Sequence, residues 1–92
     1  MGNYIEYGDR IIFHPGYYIK EILEESDYTK KDFAKRLNIA PEKLDMLING
    51  KINLSNETVL KLSELTGTSI NYWYNIQMAY DDFVFEMKSK NN

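Results

Sequence analysis

The fold of this chain is decided by residues 27–51, which read DYTKKDFAKRLNIAPEKLDMLINGK. Thr29 is followed three residues later by an acidic side chain, as in a capping box, so we expect a helix to begin there. That helix should end at Asn38, because asparagine tolerates the left-handed conformation common at helix C-termini. A second helix should begin around Pro41, since proline is favoured at the first helical position, and end at Asn49-Gly50. The segment therefore predicts two short helices joined by a three-residue turn.

The apolar residues of these two helices recur at helical spacing and define a buried face. Ala34 is small, which lets the second helix cross the first closely and at a steep angle. Helix-turn-helix motifs have this geometry: their second helix enters the major groove of DNA, and the N-terminus of the first points at a backbone phosphate. The predicted core positions of the motif are Phe33, Ala34, Leu37, Leu44, Leu47 and Ile48.

The formal net charge of −3 conceals a segregation of charge along the chain. Residues 17–28 have a net charge of −3, whereas residues 29–51 carry six basic and three acidic side chains, a net charge of +3. A phosphate backbone recognises a local basic stripe whatever the overall sign. A solvated helical face is the alternative explanation, but the helix-turn-helix spacing favours a nucleic-acid interface. The basic residues are Lys30, Lys31, Lys35, Arg36, Lys43 and Lys51.

The rest of the chain predicts three more helices. The first should run from about Gly16 to Ser26, opened by His14-Pro15-Gly16 and ended by Asp27 in a left-handed conformation. The fourth should be capped by Ser55 or Asn56 and stopped by Gly67. The fifth should start after Ser69 and continue through Phe85 before fraying. His14 is the only histidine, and we expect it to cap or pack locally.

The expected fold class is therefore all-α, a five-helix domain whose helices two and three form the helix-turn-helix, and the family resemblance given below makes this domain repressor-like. Residues 1–13 are expected to form an N-terminal arm, residues 14–88 the domain, and residues 89–92 a disordered tail. No segment has a strand period that competes with the five helices.

Composition excludes several other classes of protein. The apolar fraction of 43% and charged fraction of 27% are those of a soluble globular protein. No apolar run is long enough to span a membrane, and the absence of cysteine and of a signal peptide favours a cytoplasmic location. A lone histidine, no cysteine and no Gly-rich loop leave nothing to build a catalytic, cofactor or metal site from. The polar residues 88–92 are expected to end a complete chain, the alternative being a domain that precedes a catalytic region.

Two segments of the motif resemble the phage-repressor or XRE helix-turn-helix family: FAKRLNI at residues 33–39 and LINGK at residues 47–51. Three further segments, His14-Pro15-Gly16, LSNET at residues 54–58 and WYNIQ at residues 73–77 with Tyr80-Asp81, are similar to HigA-type antitoxins. The resemblance covers about residues 14–81. It implies a homodimer that binds a palindromic operator in its own promoter and neutralises a HigB-type toxin, an mRNA-cleaving ribonuclease.

The resemblance places the DNA contacts at Thr29, Lys30, Lys31, Ala40, Pro41, Glu42, Lys43 and Met46, and the motif itself adds Asn49 and Lys51. The sequence departs from the family at the base-reading positions. Ala40, Pro41 and Met46 offer only apolar contacts, while Glu42 can accept from cytosine N4 but repels phosphate. Asp45 adds a second negative charge. Two alternatives stay open: a helix-turn-helix interaction protein with weak or no base recognition, and a stand-alone small repressor.

The aromatic residues near the C-terminus are too many for the core of one small domain. Single-stranded nucleic-acid binders stack bases on such side chains, but the neighbouring charge here is acidic. We therefore expect packing under the fourth helix together with a dimer or toxin interface, where aromatic residues are enriched. The residues assigned to that interface are Trp73, Tyr74, Tyr80, Phe83 and Phe85.

Overall fold

The computed structural model describes residues 3–90, without the side chain of Lys90. Its five helices confirm the predicted architecture, and a two-stranded sheet precedes them. None of the helices within the described range combines the length and the apolar character that crossing a membrane requires. The elements in chain order are β1 (Tyr4–Tyr7), β2 (Arg10–Phe13), α1 (Pro15–Glu25), α2 (Lys30–Arg36), α3 (Pro41–Ile48), α4 (Asn56–Thr66) and α5 (Ile70–Lys90).

The N-terminal segment is a β-hairpin, which the sequence did not predict. β1 and β2 pair antiparallel, with Tyr4 opposite Phe13 and Tyr7 opposite Arg10. Gly8 has φ +64° in the two-residue turn, as the first position of a type II′ hairpin turn requires. Each strand has only four residues, too few for a period-2 pattern to stand out. Their stability comes from packing on α5, where the Arg10 guanidinium lies 4.6 Å from the centroid of the Phe83 ring.

His14 caps α1, as predicted. Its Nδ1 accepts a hydrogen bond from the Gly16 N–H at 2.9 Å, and its ring is fully buried, edge-on to Tyr80 with 4.8 Å between centroids. The prediction that Asp27 ends α1 in a left-handed conformation is wrong. The helix ends at Glu25, and extended Ser26 directs both its N–H and its hydroxyl to the Leu23 carbonyl. No left-handed residue is needed, because Ser26 already satisfies that terminal carbonyl.

The titration of His14 should make folding stability depend on pH. Burial is the main influence on its pKa and lowers it below the ordinary 6.5. Hydrogen bonding to Asn53 and Ile52 and the charge of Asp81 raise the pKa, but they offset the effect of burial only in part. Since the unfolded chain then binds the proton more readily, the contribution of neutral His14 is fully present above pH 6.5 and is lost as the pH falls through the lowered value. Protonation also removes the lone pair that accepts from Gly16.

Urea unfolding between pH 7.5 and pH 5 measures this effect. The wild-type chain should lose more unfolding free energy over that range than the His14→Asn variant, which keeps a capping acceptor but has no group that titrates there. Equal losses in the two proteins would contradict a role for His14, since every other titrating group is common to both.

All five helices contribute side chains to one hydrophobic core, and all six core positions predicted within the motif are buried. Ser55 is the α4 N-cap, accepting from the Thr58 N–H at 3.1 Å, and Gly67 ends the helix with φ +76°. The helix α5 continues through Ser89 and Lys90, so the predicted tail at 89–92 is helical in its first half. Residues 91 and 92 lie outside the described range.

Candidate nucleic-acid interface

Both helices of the motif end in the same way. After α2, the Asn38 N–H donates to the Lys35 carbonyl and the Ile39 N–H to the Ala34 carbonyl, both at 3.0 Å, with Asn38 at φ +60°. This pair of bonds is a Schellman motif, and it confirms the predicted left-handed asparagine. Two analogous bonds end α3: the Gly50 N–H donates to the Leu47 carbonyl, and the Lys51 N–H donates to the Met46 carbonyl. Main-chain hydrogen bonds therefore fix where each helix ends and the following turn begins.

The exposed side of α3 presents the residues predicted to contact DNA. Leu44, Leu47 and Ile48 point into the core, so the opposite face projects outward at the spacing of successive turns. Met46 is 43% exposed on that face. All ten predicted positions are exposed: Thr29, Lys30, Lys31, Ala40, Pro41, Glu42, Lys43, Met46, Asn49 and Lys51.

Thr29 caps α2 as predicted, its hydroxyl accepting from the Asp32 N–H at 3.1 Å. Because α2 has only seven residues, the lysines around it carry more positive charge to a phosphate than its dipole does. Lys31 lines a surface depression beside the turn together with Lys35 and Pro41. The sequence had placed Lys35 in the basic cluster without assigning it to the interface.

An ion pair spans the two helices of the motif, and the sequence did not reveal it. Lys30 Nζ lies 2.7 Å from Asp45 Oδ1, and both side chains are about half exposed. The carboxylate therefore offsets one of the charges predicted to hold phosphate. Among the described residues, none of the other lysines of the motif forms a salt bridge. They are Lys31, Lys35, Lys43 and Lys51.

A second contact ties the turn to the start of α4. The Asn38 side chain donates to Glu57 Oε2 at 3.2 Å. Together with Lys43 these two residues line a cavity of about 480 Å³ beside α3. The Glu57 carboxylate thus stands next to the interface, and no local sequence pattern links it to Asn38, nineteen residues away.

A helix-turn-helix family model matches residues 19–73, more than half of the chain, and the match includes the whole of α2 and α3. The chain belongs to the helix-turn-helix family. This family consists of DNA-binding regulators and not of enzymes.

Individual members of the helix-turn-helix family resemble the chain over most of its length. The Escherichia coli K12 uncharacterised HTH-type transcriptional regulator YddM is 38% identical over 66 residues, 72% of this chain and 70% of that protein. An addiction-module antidote protein of the HigA family from Coxiella burnetii is 29% identical, with a TM-score of 0.76 and coverage of 86% and 87%. The antitoxin GraA, solved in complex with its operator, is 26% identical, with a TM-score of 0.69 and coverage of 84% and 78%.

The aromatic set assigned to an interface is mostly internal in this helix-turn-helix protein. Trp73 is fully buried and Phe83 is 5% exposed, so neither is available to a partner, and the prediction is wrong for both. Tyr80 packs on His14, and half-buried Tyr74 donates its hydroxyl hydrogen to Asn56 at 2.8 Å. Only Phe85, at 73% exposure, projects freely. The composition gives the number of aromatic residues, but the packing of α5 determines which of them are exposed at the surface.

Proposed function

We propose that this chain is an antitoxin that represses transcription from its own promoter, as a homodimer bound to a palindromic operator, and neutralises a HigB-type ribonuclease toxin. The observation that carries the proposal is the exposed outer face of α3, held by two Schellman motifs and flanked by the exposed lysines 31, 43 and 51. The similarity to GraA, an antitoxin bound to its operator, and to a HigA-family antidote protein supports the same function.

The apolar surface of α5 supports the homodimer. Phe85 is 73% exposed and Met78 is 58% exposed. Because residues seven apart on a helix lie on the same face, these two side chains form one apolar patch. A two-fold axis between two copies would set the recognition helices about 34–36 Å apart, or a multiple of it, and so require a palindromic site. Replacing Phe85 with glutamate should convert the dimer to a monomer in light scattering.

Operator binding is tested by titrating the protein against its promoter DNA and a scrambled duplex of equal length. We expect a preference for the promoter at about 100 mM salt, and an affinity that falls linearly with log salt. Equal affinity for the two duplexes would remove the repressor half of the proposal. The other half is tested by co-expression with the product of a neighbouring gene that codes for a small basic ribonuclease: growth should be restored, and unrestored growth would leave a stand-alone repressor.

A second candidate function has a specific observation in its favour. Asp45 neutralises Lys30 at 2.7 Å, while Glu42 and Glu57 add carboxylates at the same surface. A helix-turn-helix protein that uses this surface for protein contacts, with weak or no base recognition, would tolerate that charge. Such a protein would fail the promoter titration and still restore growth in the presence of its toxin.

The carboxylate of Asp45 should restrain DNA affinity. An ion pair this exposed contributes only about 0–1 kcal/mol to stability, so Asp45→Asn should leave folding nearly unchanged. It should free Lys30 for a phosphate, strengthen operator binding about fivefold at 0.15 M salt, and steepen the log–log salt slope by about 0.9. Fluorescence anisotropy at several salt concentrations measures both quantities.

A matched control for that variant is Glu64→Gln, which removes the partner of Lys61 outside the motif. This variant makes the same change in net charge and should leave the salt slope unaltered. Weaker binding by Asp45→Asn would mean instead that Asp45 holds Lys30 in its DNA-contacting position.

A further inference from the structure

The outer edge of β2 carries main-chain groups without partners. A hydrogen bond of 2.8 Å from the His14 N–H to the Asn3 carbonyl fixes which pairs of the hairpin are bonded, because bonded and non-bonded pairs alternate in antiparallel strands. Ile12 and Arg10 therefore bond to β1, whereas the N–H and C=O groups of Ile11 and Phe13 point away from it. Within the described residues, no hydrogen bond reaches those four groups.

An apolar groove runs along this same edge. It has a volume of about 400 Å³ and lies between β2, α1 and the first half of α5. Ile11 is 50% exposed at its rim and Tyr72 is 41% exposed on the opposite side. An unpaired strand edge beside apolar pockets is the arrangement that accepts an added strand from another chain. The other side chains in contact with the groove are Ile12, Phe13, Tyr18, Asn75, Ile76 and Ala79.

The charge around the groove indicates what kind of chain would bind there. None of the described charged side chains lines the groove itself, but the hairpin and α1, which form two of its walls (residues 4–25), carry two basic and five acidic side chains, a net charge of −3, in contrast to the +3 of residues 29–51. One of the two cations, Arg10, is already paired with Glu86 at 3.1 Å. A second copy that added its own β2 edge here would bring the same acidic hairpin and α1 to the groove, unlike the proposed dimer through Phe85 and Met78 of α5. A cationic partner would be attracted, and a ribonuclease toxin must be cationic where it holds RNA phosphates.

We propose that β2 receives one extended strand of the cationic toxin, which pairs with Ile11 and Phe13 and buries its apolar side chains in the groove. This inference rests on the proposed antitoxin function. None of the ten residues assigned to DNA contacts lines the groove, so the toxin and the operator can bind the same protomer at once.

Proline substitutions on the two edges of the hairpin separate this site from general damage. The Ile11→Pro variant removes an outward N–H without breaking a β1–β2 bond, which is where sheets tolerate proline. Glu6 lies directly opposite Ile11, and its N–H points outward from the other edge, so Glu6→Pro is the matched control. Ala79→Trp fills the groove from α5 and leaves β2 unchanged. Circular dichroism verifies that each variant folds.

The affinity of each variant for the purified small basic ribonuclease used in the co-expression test is measured by calorimetry. Both Ile11→Pro and Ala79→Trp should bind at least about tenfold more weakly than the wild type, whereas Glu6→Pro should bind as the wild type does. Operator affinity should be the same in all four proteins. Amide hydrogen exchange in the complex should slow at Ile11 and Phe13 and stay unchanged at Tyr4 and Glu6.

Toxin binding unaffected by Ile11→Pro and Ala79→Trp would overturn the inference and leave the antitoxin proposal intact. Failure of the wild-type chain to bind the toxin would overturn both. A change of molecular mass in light scattering of Ile11→Pro alone, without the toxin, would identify the occupant as a second copy of the chain and likewise overturn the inference.

Discussion

Replacing Gly16 with alanine is expected to destabilise the protein by more than about 3 kcal/mol, beyond the usual cost of overpacking a core. A Cβ at this position would overlap the carbonyl oxygen of Leu47 and lie 2.9 Å from that of Ile48. Those atoms belong to the main chain of α3, which its Schellman motif holds in place, so they cannot move as a side chain can. We expect the midpoint of thermal unfolding to fall by about 4–8 °C per kcal/mol.

The matched control for Gly16 is Gly67, where alanine would meet nothing within 4 Å and only the positive φ of +76° is unfavourable. Gly67→Ala should cost about 1 kcal/mol. If urea unfolding gives similar losses for the two variants, the close approach of α1 to α3 does not limit the fold.

The double variant Lys31→Ala/Lys43→Ala should bind the operator about 30-fold more weakly than the wild type at 0.15 M salt, with a log–log salt slope shallower by about 1.8. Both lysines are exposed, and neither forms a salt bridge with another described residue. Each is therefore available to a DNA backbone phosphate on its side of the major groove. Because phosphate contacts carry no sequence information, the ratio of promoter to scrambled-duplex affinity should stay nearly constant.

Lysines outside the motif provide the control for the change in net charge. The double variant Lys20→Ala/Lys61→Ala removes two positive charges from α1 and α4. Its operator affinity and salt slope should match the wild type. A loss equal to that of the Lys31/Lys43 variant would show that total charge, and not the surface of the motif, governs binding.

Local sequence predicted the parts of the fold whose causes are local. The caps at Thr29 and Ser55 form in the structure, as does the left-handed Asn38 that ends α2. Each of these depends on a side chain and a main-chain group at most a few residues away. The ten DNA-contact positions that the resemblance and the motif predicted are all exposed.

Contacts between distant segments could not be read from local patterns. The pairing of Lys30 with Asp45, and of Asn38 with Glu57, depends on how α2, α3 and α4 are placed. The assignment of Trp73 and Phe83 to a surface failed for the same reason, since an aromatic residue is equally suited to a core and an interface.

The segment from Asp27 to Lys51 was determined by its own sequence, because caps, proline and the left-handed asparagine act over a few residues. The hairpin was decided only by tertiary structure: strands of four residues cannot hold together alone, and these lie against Phe83 and Glu86, more than seventy residues away. Tertiary packing likewise decided that Gly16 must lack a side chain. Its own backbone is ordinary helix, and the constraint comes from the carbonyl groups of α3 that lie against it.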